Sequence, residues 1–138
     1  KKLRWAPDVI HCQGWISHLV PVYLKKAYKD DPIFSSSKVV LSLYEDTPRA
    51  SFSPDFADKI CLVGIVKQDL PSLDKPDGIK LAQTAALYSD GVILGAENVE
   101  PKIVDYCKSL GLPILPFSRK ALDDGSYIDD YCSFYDRL

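Results

Sequence analysis

Four short apolar runs, at residues 9–13, 38–44, 91–95 and 112–115, alternate along the chain with stretches whose apolar residues recur at helical spacing. Runs of strand length without polar alternation suit strands buried on both faces, as in parallel sheets whose crossovers place helices on each side. The fold class that follows is α/β: a Rossmann-like parallel sheet with helices on both faces and right-handed connections. At 138 residues and 46% hydrophobic content, the chain is sized for a single Rossmann-like domain that buries roughly two thirds of its unfolded surface.

The first β-to-α turn is the most informative stretch. Val9, Ile10 and Cys12 make a buried strand, Gly14 permits a tight exit, and Trp15, Ile16, Leu19, Val20, Tyr23 and Leu24 predict a helix over 15–29 that stops before Pro32. Pro21 lies inside that run and predicts a bend or a short break. Ser53 is read as an N-cap with Pro54 at the first position of a short helix through Phe56, Ala57 and Ile60. Residues 62–65 are either a short edge strand or extended loop, and 69–77 read as irregular chain. A helix over 78–88 follows. The next runs from Pro101, with Ile103, Val104, Cys107 and Leu110 on one side, and ends at Gly111. Tyr127, Tyr131, Phe134, Tyr135 and Leu138 line a final helix, read as core or an interface.

Composition removes several classes of function. Seventeen basic and nineteen acidic residues give a net charge of −2, without the basic footprint of a nucleic-acid binder. Lys25, Lys26 and Lys29 are read as the wet face of the first helix. No apolar run reaches the roughly 20 residues of a membrane span, and no signal peptide opens the chain, so a cytoplasmic protein is expected. Cys12, Cys61, Cys107 and Cys132 lack clustered metal-ligand spacing and read as free thiols of a reducing compartment. No metal and no cofactor are expected. The Gly-x-Gly-x-x-Gly dinucleotide fingerprint, the phosphate loop and the Gly-x-Ser-x-Gly elbow are absent. The sequence contains no Met, from which a fragment of a longer chain, with sequence upstream of Lys1, is expected.

At the first turn the sequence resembles a known family. Pro7, Asp8, Val9, His11, Trp15, Leu19, Pro21, Tyr23 and Leu24 match the Pro-Asp-Val-Val-His-Ala-His-Asp-Trp segment, and the Leu-x-Pro-x-Tyr-Leu helix behind it, of bacterial glycogen synthases and plant starch synthases. Val39 to Glu45 is similar to that family's Val-Val-Phe-Thr-Ile-His-Asn strand, and Ala86 to Val92 to its Tyr-Ala-Asp-x-Val strand entry. The resemblance implies half of a two-domain B-type glycosyltransferase fold. This half would be the N-terminal, acceptor-side domain of an enzyme that moves glucose from ADP-glucose to an α-1,4-glucan.

The departures fall on polar positions. Gln13 and Gly14 stand where the family has His and Asp, and Tyr44 and Glu45 where it has His and Asn. A glycine has no side chain with which to stabilise a developing charge. No residue of the chain is therefore expected to be catalytic, and Gln13, Gly14, Tyr44 and Glu45 are the candidate substrate contacts. The expected partner is an α-1,4-glucan or maltooligosaccharide, bound weakly; ADP-glucose would bind only with the missing domain, and a homo-oligomer is left open. The runner-up is a catalytically degenerate relative with a glucan-binding or structural role. His11 is read as a hydrogen-bonded core histidine, and Trp15 as packing between helix and sheet.

Overall fold

A computed structural model describes residues 5–61, 63–70 and 73–138. Four parallel strands, β1 (Val9–Gln13), β2 (Lys38–Leu43), β3 (Gly91–Leu94) and β4 (Ile114–Leu115), lie side by side in chain order. The register sets Gln13 beside Ser42 and Leu43 beside Leu94, so the carboxyl ends of the strands finish together. The α/β reading therefore holds, and the strand positions agree with the apolar runs.

Helices cover both faces because the strands alternate. Val39, Leu41 and Leu43 of β2 point to one side, where they pack with Val92 and with Ala82, Ala85 and Ala86 of α3 (Gly78–Leu87) and Ile103 and Cys107 of α4 (Pro101–Ser109). The three alanines are fully buried, which lets α3 lie close to the sheet. Val40 and Ile93 point to the other side and are sealed by Phe134 of the last helix, α6 (Tyr127–Asp136). Burying a side chain of this size contributes about 1.5–3 kcal/mol.

The first helical segment is broken, as Pro21 predicts. A 3₁₀ turn at Trp15–Ser17 precedes α1 (Val20–Val22), with Pro21 in its first turn, and α1 continues as a π-helical turn at Tyr23–Ala27. Val22 anchors a smaller core with Ile60, Ile65, Leu70 and Leu73, which explains how the irregular chain before α3 is held. Ile60 belongs to α2 (Phe56–Ile60).

Several expectations are corrected. The helix after Ser53 starts at Phe56, because Ser53 and Pro54 are spent on a turn in which the Ser53 hydroxyl bonds the Asp55 carboxylate instead of capping. Of the two readings of 62–65, the described residues 63–65 form loop and not strand; Leu62, Pro71 and Ser72 lie outside the described residues. Lys25 and Lys26 are not a free wet face. Lys25 Nζ pairs with Asp90 and Lys26 Nζ with Asp69, each at 2.9 Å. Asp90 also accepts the Val39 N–H at 2.8 Å, so one carboxylate ties the π-helical turn to the start of β2. A further short helix, not expected from the sequence, is α5 (Arg119–Asp124), where the Ser118 hydroxyl accepts the Ala121 N–H and Gly125 closes the helix in the left-handed region.

Candidate functional site

The strand ends open into a cleft of about 280 Å³. Its floor is Gln13 from the end of β1, Tyr44 directly after β2, Leu94 and Gly95 at the end of β3, and Leu115 of β4. Its far wall is Tyr127, Asp130 and Tyr131 of α6, with Phe117 and Ser118 leading into α5. Crevices beyond the carboxyl ends of parallel strands are where ligands of such sheets bind. The Tyr44 ring lies over Gly95 so closely that a Cβ there would collide with it, which makes a glycine necessary at that strand end. Tyr44 also borders a second hollow of about 370 Å³, lined by Glu45, Arg49, Asp77 and Glu100 among others.

The four sequence-predicted residues separate into two kinds. Gln13 and Tyr44 come together in the cleft. Glu45 faces the second hollow, where its carboxylate accepts the Asn98 N–H at 3.0 Å and fixes the turn after β3. Gly14 lines neither; with φ at 77° it makes the left-handed exit from β1. Asp46 fills the space beside it, accepting the Trp15 N–H at 3.1 Å, with one carboxylate oxygen 3.4 Å from where a Gly14 Cβ would sit. Trp15 is 37% exposed, so it does not pack between helix and sheet as expected, and its neighbour Ile16 is 82% exposed.

His11 is the hydrogen-bonded histidine expected of a buried strand. Nε2 lies 2.5 Å from the Ser42 hydroxyl and Nδ1 2.6 Å from the Tyr135 hydroxyl. Burial pushes its pKa down, so the ring stays neutral, and both nitrogens are occupied. It holds β1, β2 and α6 together and has no free nitrogen for a substrate proton. Burial raises the phenols of Tyr131 and Tyr135, which keeps their hydroxyls protonated. Asp130 is the only charged side chain lining the cleft among the described residues. Among the described residues the cleft lining holds no imidazole and no second carboxylate; its polar side chains are Gln13, Ser118, Asp130 and the phenols of Tyr44, Tyr127 and Tyr131.

Sequence reasoning missed Tyr127, Asp130 and Tyr131 as cleft residues. The helical spacing of Tyr127 and Tyr131 gave the shared face but not what that face meets. Among the described residues no cluster of three or more His, Cys, Asp or Glu side chains is placed to hold a metal ion. None of their helices is long and apolar enough to cross a membrane.

Fold and cleft together define a Rossmann-like α/β domain with a ligand-sized crevice at its strand ends. The starch synthase catalytic domain family matches residues 1–107, well over half of the chain, and the chain belongs to that family. It is similar to the glycogen synthase of Clostridium perfringens, 28% identical over 103 residues that make up 75% of this chain and 21% of that protein. Glycogen synthase 2 of Geobacter metallireducens is 30% identical over 113 residues, 82% of this chain and 22% of the relative. The glycogen synthase of Photobacterium profundum is 27% identical over 123 residues, 89% and 24% respectively. The chain thus spans about a fifth to a quarter of the length of these relatives. No solved structure matches it.

Proposed function

We propose that this chain is the acceptor-side domain of a glycogen or starch synthase-like glucosyltransferase, which holds an α-1,4-glucan and does not elongate it unaided. The observation that carries this reading is the strand-end cleft lined by Gln13 and Tyr44 in a chain of the starch synthase family. Gln13 and Tyr44 contact one sugar unit, while Glu45 borders the path along which a longer glucan continues past Tyr44 into the second hollow. ADP-glucose is the donor of the complete enzyme and is held by a second domain. The place of action is the cytoplasm, and the chain acts as one Rossmann-like domain.

A second reading, a relative that binds glucan without catalysis, is favoured by one observation: among the described residues the cleft lining has no imidazole and Asp130 is its single carboxylate. A complete reading frame long enough for two Rossmann-like domains would favour the enzyme, and one long enough for a single domain the relative. The direct test of both is incubation of this chain with labelled ADP-glucose and glycogen. No incorporation above a protein-free blank is expected. Incorporation that Tyr44→Ala and Gln13→Ala leave unchanged would overturn both the inactivity and the site.

A further inference from the structure

We infer that the α6 wall of the strand-end cleft is a sugar subsite selective for a neutral hexose over a nucleotide sugar, with Tyr127 and Asp130 as its specificity-determining contacts. The inference rests on the glucan-binding reading above and adds to it a wall supplied by residues beyond the family match, which ends at residue 107.

The chemistry of the lining selects the ligand. Tyr44, Tyr127 and Tyr131 present aromatic surface, while Gln13 and Asp130 present hydrogen-bonding groups. None of these five side chains takes part in a side-chain hydrogen bond among the described residues, whose nearest such bonds are those of His11 with Ser42 and Tyr135. A pyranose ring has one face of C–H groups and a rim of hydroxyls. It therefore matches a site in which aromatic faces receive the first and a carboxylate and an amide receive the second. The volume, about 280 Å³, falls just below the usual range for ligand pockets, roughly 300–1,000 Å³, and suits one sugar unit at a time.

The same lining rejects phosphate. Among the described residues no lysine or arginine lines the cleft, and its one charged group, Asp130, is negative. Two cations, Arg119 and Lys120, stand between the lining residues Ser118 and Ala121 without being part of the lining; Arg119 lies over the Phe117 ring at 5.3 Å and 3.8 Å from Glu97. A diphosphate placed here would meet a carboxylate with no counter-charge, an arrangement that disfavours binding. The wall itself is rigidly set. Phe134 seals α6 against Val40 and Ile93, and the Tyr135 hydroxyl bonds His11, so Tyr127 and Asp130 project from an anchored helix.

The test is amide-shift titration of the whole chain with maltotriose and, separately, with ADP. Maltotriose is expected to move amides around Gln13, Gly95 and Tyr127, with a dissociation constant of order millimolar. Tyr127→Ala and Asp130→Ala should each weaken it by about fivefold or more, and Tyr127→Phe by less than about twofold, because the ring is kept. ADP should leave the cleft amides in place. If maltotriose binds and is weakened by Tyr44→Ala and Glu45→Ala but not by the two α6 variants, the glucan reading stands and this subsite is overturned. Cleft shifts with ADP would overturn the selectivity. An absence of maltotriose binding to the unsubstituted chain would overturn the glucan reading and the subsite with it.

Discussion

The imidazole Nδ1 of His11, on the first strand, lies 2.6 Å from the hydroxyl of Tyr135, 124 residues later on the last helix. A neutral imidazole has one donor and one acceptor, and Ser42 takes the other nitrogen, so the two hydroxyls must play complementary roles. Tyr135→Phe removes one of them and leaves a half-buried nitrogen unpaired. Its expected cost is about 1–2 kcal/mol of stability, seen as a lower urea midpoint with an unchanged slope. An unchanged midpoint would show that α6 is held by Phe134 alone.

His18 gives stability a pH dependence. It is 2% exposed, neither ring nitrogen has a hydrogen-bond partner among the described residues, and burial pushes its pKa from 6.5 down to about 4, with Asp46 opposing the shift only in part. The unfolded chain therefore binds a proton that the folded chain refuses, and stability present above pH 6.5 is lost as pH falls toward 4. His11, also lowered by burial, acts in the same direction. The His18 contribution between neutral pH and pH 5 is about 2 kcal/mol. Urea midpoints measured at both pH values should differ accordingly, and His18→Phe should flatten the difference even if it lowers stability overall.

Asp90 offers a comparison of two interactions at one carboxylate. Its ion pair with Lys25 is partly exposed, while the bond it accepts from Val39 satisfies the N–H of a buried strand residue. Lys25→Ala is expected to cost less than about 1 kcal/mol, since pairs in contact with water are weak. Asp90→Ala should cost about 1–3 kcal/mol, because it orphans a backbone donor. Equal losses in chemical denaturation would mean that the ion pair, not the backbone bond, carries the contribution.

Thiol reactivity should follow burial. Cys12 and Cys107 are buried and pushed up to about 11, Cys61 is half-buried, and Cys132 is exposed on α6. A thiol reagent under native conditions should modify Cys132 first and spare Cys12 and Cys107 until the protein unfolds, when all four react without reductant. A non-reduced intact mass short by two protons would instead reveal a disulfide.

The strands were legible because burial on both faces leaves a direct compositional trace: Val39-Val40-Leu41-Ser42-Leu43 has few polar positions to misplace. The break at Pro21 was legible for an equally local reason, the missing backbone donor. What sequence could not give was partnership across the chain. Lys25 and Lys26 look like a solvated face until Asp90 and Asp69 are brought beside them. Helix α5 has a local signal, Ser118 as cap and Gly125 as stop, but six residues with only Ala121 buried leave almost no periodicity to read. Half of the cleft was legible, since Gln13 and Tyr44 end neighbouring strands. The other half was not, because nothing in the spacing of Tyr127 and Tyr131 says that α6 crosses to the strand ends.

The cap of the turn that follows β1 is borrowed: the Trp15 N–H is received by Asp46, 31 residues downstream, because Gly14 has no side chain to offer. A cap supplied from within a helix can form as fast as the helix does. This one has to wait until β1 and β2 have paired, since only the alignment of Gln13 with Ser42 brings Gly14 and Asp46 together. Closing a loop of that length costs entropy before any contact offsets it. In the order of folding events, the first helical segment of the sequence is therefore among the later ones to be secured, and the start of the chain waits on a residue beyond its second strand.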